Sequence, residues 1–212
     1  MAAIFPSTPR ATPSRLADVA TAARPTTYPV LMPGHRAPAA GFEAPFEMLA
    51  TCHDRVERML ALQKKLQQHL LAKGCDEPAR QAARDVMRYF DLAAPVHHQD
   101  EELHVFPPLL AGPDAALREL VRRLMQDHRQ METAWVQARR ALMAIADSPA
   151  SGWTPLTPAQ TAVLEQFAAL YRHHLDDENN VVYPAAESLL PPDAVQAMSE
   201  DMMQRRGVAP KK

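Results

Sequence analysis

From Phe42 onward, apolar residues return at alternating spacings of four and three. Leu117, Val121, Leu124, His128, Met131, Trp135, Ala138, Leu142 and Ile145 form the longest such series. Leu164, Phe167, Tyr171, His174, Glu178, Val181 and Ala185 form a second, and Leu49, His53, Val56 and Leu60 a third. Val86, Phe90, Ala93, His97 and then Asp100 or Glu101 complete the set. This spacing keeps one stripe of a 3.6-residue helix apolar. No stretch alternates with period two for long enough to make a strand. Each inward stripe carries a histidine in its middle.

The punctuation between stripes sets the boundaries. A first helix over about 42–73 ends at Lys73-Gly74, and a second opens at Asp76-Glu77-Pro78. Pro95 predicts a kink in the second helix, and Pro107-Pro108 its end near 106. The third runs from Gly112-Pro113-Asp114 to about Asp147, the fourth from Thr157-Pro158 to about Ser188 with an interruption at Pro184. A short fifth occupies 192–205. The fold class is therefore all-α: an up-down-up-down four-helix bundle over 41–206, with a short C-terminal helix.

Residues 1–40 break this pattern. They hold seven of the chain's 20 prolines, and Arg10, Arg15, Arg24 and Arg36 face a single acid, Asp18. Such a segment buries too little surface to offset its ordering entropy and reads as a flexible tail. A transit peptide is its rival, but no amphipathic stripe supports one. A net charge of -2 argues against a nucleic-acid or anionic-membrane partner. No apolar run is long enough to span a bilayer. Two cysteines, Cys52 and Cys75, are too few for a disulfide scaffold and point to the cytoplasm.

The histidines on the stripes carry the chemistry. A single histidine on an apolar face is usually a satisfied core residue, but four at one height demand another explanation. With a rise of about 1.5 Å per residue, His53, His97, Glu101, His128, His174 and Glu178 fall within one slab roughly 10 Å thick. Buried imidazoles and carboxylates are costly without partners, and together they make a metal site. His-x-x-x-Glu places both side chains on one helix face, one turn apart. Two such pairs on opposing helices suit two metals, and donors without thiolate suit iron, manganese or zinc.

The motifs also repeat. His97 to Pro107 spans ten residues, as does His174 to Pro184, with the copies offset by 77. The offset predicts two related hairpins about a pseudo-twofold axis. With His53, HHQDEELHVFP from His97, His128, and the His174…Glu178…Pro184 segment in this order, residues 42–190 resemble the hemerythrin-like family of HHE cation-binding domains. The resemblance implies a non-haem centre of two Fe ions, with Mn or Zn as substitutes and Glu101 and Glu178 as bridges. His98 lies about 100° round from His97 and by helix geometry should face a helix interface. The resemblance nonetheless brings it into the ligand set, because some members of the family use a residue directly after the motif histidine. One departure matters: oxygen-carrying hemerythrins have His-x-x-x-His on the third helix, whereas here Glu132 follows His128.

Glu57 and Glu132 are expected to orient imidazoles from the flanks, and His173, His104, His69 and His35 to lie on rims. Tyr171, one turn before His174, either aims its hydroxyl at a bound ligand or is a core tyrosine bonded to a backbone carbonyl. A small apolar pocket including Val181 suits dioxygen, nitric oxide or peroxide better than an organic substrate. The resulting expectation is a protein that binds or senses O2, NO, peroxide or iron, signalling through a protein partner if it is a sensor. The alternative is a diiron enzyme that decomposes peroxide or repairs oxidative or nitrosative damage.

Overall fold

A computed structural model describes residues 41–149 and 151–208, so the expectations for residues 1–40, His35 included, lie outside the described residues. The elements are α1 (Pro45–Lys73), α2 (Glu77–Asp100), α3 (Phe106–Ala111), α4 (Ala115–Ala146), α5 (Pro158–Asp177), α6 (Tyr183–Leu189) and α7 (Pro192–Arg205). Single π-helical turns, Glu101–Val105 and Glu178–Val182, join α2 to α3 and α5 to α6. There is no strand among the described residues.

Local chemistry starts and stops these helices where the sequence marks them. Asp76 accepts the N–H of Ala79, Asp114 those of Ala116 and Leu117, and Thr157 forms a reciprocal box with Gln160. Each cap satisfies a donor that would otherwise face no partner. Gly74 ends α1 with φ of 78° while its N–H donates to the carbonyl of Leu70, a conformation closed to most side chains.

Around the bundle, α1 packs on α2, α2 on α4, α4 on α5, and α5 returns to α1. Two apolar clusters fill its length. One contains Val56, Phe90, Met131, Leu142 and Phe167; the other contains Phe46, Leu49, Phe106, Leu124 and Tyr183. The stripe histidines lie in the layer where the clusters meet. At the second cluster, α7 adds Met198 and Met202. It also brings Arg205 and Arg206 to the fully buried carboxylate of Asp100, at 2.6 and 2.5 Å.

The structure departs from the expectation at the later prolines. Pro95 does not end α2, which continues to Asp100 although proline has no N–H to donate. Nor do Pro107-Pro108 end the second helix. The N–H of Phe106 reaches back five residues to Glu101, and that of Tyr183 to Glu178. A proline ring collides with the carbonyl four residues earlier in a regular helix, and the widened π turn makes room for it.

The extra residue in each turn also shifts the stripe. Val181, expected inside, is 43% exposed, while Val182 and Ala186 are fully buried and Ala185 is only half-buried. On α2 the inward alanine is Ala94, not Ala93, because the spacing from Phe90 to His97 runs four then three.

Candidate metal centre

Four helices and both π turns deliver the polar layer. α1 supplies His53, α2 supplies His97 and His98, α4 supplies His128 and α5 supplies His174, while Glu101 and Glu178 open the two π turns. His53, His97 and His174 are each 2% exposed, and His128, Glu101 and Glu178 are fully buried. Their donor atoms form two groups. His53, His97, Glu101 and Glu178 make one and His128, His174 and Glu178 the other, with the atoms of each group within 4.8 Å of one another.

Both glutamates face both groups. Glu178 Oε2 lies 3.2 Å from His53 Nε2, and its Oε1 lies 3.1 Å from His174 Nε2 and 3.7 Å from His128 Nε2. Glu101 Oε1 lies 3.4 Å from His97 Nε2, and its Oε2 lies 3.5 Å from His128 Nε2. The layer is under-satisfied: Glu101 Oε2 and both oxygens of Glu178 are buried without a hydrogen-bond partner. Carboxylate oxygens in a dry core normally find a donor or a cation. A pair of cations at the two groups would answer this, so the donor set fits metal.

Protons compensate the charge without metal. Burial would strip the proton from His53, but the adjacent carboxylates of Glu101 and Glu178 outweigh that cost and raise its pKa to about 10. The same contest, with Glu178 and Glu101 as partners, raises His128 to about 9. His97 and His98 go the other way, driven well below the usual value by burial and by neighbouring imidazoles. Burial and then the charge of Glu178 push Glu101 up. Glu178 is held well below the carboxylate range because His174, His128 and His53 overcome its burial.

His98 joins neither group. It is buried, and its ring stacks on that of His128 with centroids 4.0 Å apart and planes 8° apart, so it packs against a candidate ligand. Tyr171 likewise sits among Phe90, Phe167 and the ring of His98, one turn short of the centre.

The hydroxyl in the centre belongs to Tyr183. It donates to Glu101 Oε1 and lies 2.9 Å from His53 Nε2. Burial, then the charges of Glu101 and Glu178, raise its pKa well above the ordinary value and keep the proton on it. The signal in the sequence was its match to Phe106 in the repeat, 77 residues earlier.

The flanking roles also go to other residues. Glu132 is exposed and pairs with Arg129, and Glu57 is exposed. Glu102 Oε1, 2.9 Å from Nδ1, orients His128, and Asn179 Oδ1, at 2.8 Å, orients His53. His104, three residues after Glu101, turns away to Asp201, and His69 pairs with Asp76.

Comparison with known proteins agrees with this geometry. The family model described as the hemerythrin HHE cation binding domain matches residues 44–186. A protein of Haemophilus influenzae, described only as uncharacterized, is 37% identical over 71 residues, which is 34% of this chain and 41% of that relative. The chain therefore spans about two-fifths of that relative's length. No helix among the described residues is long and apolar enough to cross a membrane.

Proposed function

The chain belongs to the hemerythrin HHE cation-binding family, and from that premise we propose that it holds two iron ions and binds or senses a ligand the size of O2, NO or peroxide. The observation that carries this reading is the sharing of Glu178 between two donor groups, each with a histidine pair. Glu101 and Glu178 would bridge the ions, with His53 and His97 on one and His128 and His174 on the other. Nitrogen and oxygen donors without thiolate favour iron, with manganese or zinc as substitutes. When bound, such a pair supplies electrons and Lewis acidity to a small ligand.

The protein's own residues provide the rest. Phe90, Leu49 and Leu124, all essentially buried, keep water from the layer. A water-poor surrounding strengthens every electrostatic contact inside it. Asn179 and Glu102 fix the imidazoles of His53 and His128, and Tyr183 holds a proton between His53 and Glu101. Metal analysis of protein from iron-replete cells, followed by optical spectra with and without oxygen, tests the reading. About two irons per chain and an oxygen-sensitive spectrum are expected; a stable single zinc would overturn it.

Tyr183 specifically favours a second reading, an enzyme that decomposes peroxide, because its hydroxyl stands inside the donor layer within hydrogen-bond reach of His53 and Glu101. Peroxide turnover by the iron-loaded protein separates this from stable ligand binding.

A further inference from the structure

The offset of 77 residues makes His97 equivalent to His174, Glu101 to Glu178, and one π turn to the other. The equivalence fails behind the two lone histidines. Glu102 and Asn179 are related by the same offset, and each reaches across to the lone histidine of the other hairpin. Their distances to Nδ1 are 2.9 and 2.8 Å, so the geometry is preserved while the charge is not. Arg129 fixes Glu102 through its second oxygen at 2.6 Å. The partners follow the same division. His174 Nδ1 has Asp127 at 3.6 Å, an ionic approach longer than a hydrogen bond, and His97 Nδ1 has no partner.

We propose that Glu102 is a positioning residue that makes the His128–His174 position the tighter of the two metal positions, and that Asn179 in the equivalent place leaves the His53–His97 position weaker. This inference rests on the two-metal reading above. An imidazole donating from Nδ1 to an oxygen is locked in the tautomer that turns its Nε2 lone pair toward the metal. An amide oxygen sets that tautomer as well as a carboxylate does. Only the carboxylate adds negative charge behind the ring, which makes Nε2 a stronger donor.

Cobalt(II) titration of the metal-free full-length chain, followed by visible absorption, reads the two positions as two equivalents. Glu102→Gln should weaken the tighter equivalent about 10- to 100-fold, the range typical for such partners, and spare the other. Asn179→Asp, also isosteric, should tighten the weaker equivalent, a gain that a merely structural role would not produce. Helical content and thermal midpoint check each fold. If Asn179→Asp fails to fold, Arg129→Ala, which releases Glu102, takes its place and should weaken the tighter equivalent. Equal weakening of both equivalents, or of neither, overturns the inference, as do two indistinguishable equivalents in the unaltered chain. Uptake of one cobalt by the unaltered chain overturns the two-metal reading and this inference together.

Discussion

Tyr183 stacks on His53 with ring centroids 5.2 Å apart and planes 20° apart, and the same phenol donates a hydrogen bond to Glu101. The equivalent pair across the pseudo-twofold is Phe106 on His128, at 5.6 Å and 26°, where no hydroxyl exists. One lone histidine thus has a proton donor beside it and the other a plain ring. Tyr183→Phe keeps the stack and removes the proton. We expect it to cost about 1 kcal/mol of stability, to retain nearly two irons, and to slow peroxide consumption about 10²-fold. An unchanged spectrum and an unchanged rate of consumption would leave the hydroxyl a purely structural role.

The shared position of Glu101 and Glu178 predicts an order among ligand deletions. Glu101→Ala or Glu178→Ala should bring iron below one per chain, since both ions lose an anionic donor and repel each other more in a dry core. His53→Ala should keep at least one. Glu57→Ala and Glu132→Ala, at exposed positions, should keep nearly two. Iron per chain across these variants decides the matter; a full site in Glu178→Ala would be incompatible with bridging.

Metal uptake should depend on pH. His53 and His128, with pKa values raised to about 10 and about 9, are protonated at neutral pH in the metal-free chain and must lose those protons to ligate. Affinity for cobalt(II) should therefore rise with pH up to about 9–10, and neutral-pH binding should release protons measurable in weakly buffered solution. For the metal-free chain the sign reverses. A raised histidine pKa stabilises the fold fully below the unfolded value near 6.5, and that contribution fades as pH climbs through about 9 and 10. The thermal midpoint of metal-free protein should fall over this interval.

The π turn after Glu178 predicts opposite outcomes at adjacent valines. Val182 is fully buried and Val181 is 43% exposed. Val182→Ala should cost about 2 kcal/mol and Val181→Ala less than about 0.5 kcal/mol, read from denaturant midpoints. A regular helix through this segment would reverse the two.

Asp100 predicts that α7 is integral to the bundle. Its fully buried carboxylate depends on Arg205 and Arg206, so replacing both with alanine should cost about 3–5 kcal/mol, as expected when a buried charge loses its partners. Asp100→Asn in the same background should recover part of that loss, because it removes the orphaned charge. Urea unfolding of the three proteins measures the difference.

Much of this was legible in the order of residues. Helix periodicity is local, so the stripes through Leu124, His128 and Met131 marked an inward face before any partner was known. The offset of 77 residues and the common height of six polar side chains followed from the rise per residue alone. Tertiary structure decided which neighbour each of those side chains meets. Whether Glu102 or Glu132 stands behind His128 depends on how α2 and α4 approach, and a difference of 100° around a helix axis cannot be resolved from one strand of sequence. The same is true of Tyr183 and Tyr171. Both are aromatic and one turn or so from a ligand, but the π turn adds a residue between Glu178 and Pro184 and rotates Tyr183 onto His53, across the bundle. Backbone hydrogen bonding chose that turn to accommodate a proline ring, and the reach of a hydroxyl to the metal-binding layer came with it.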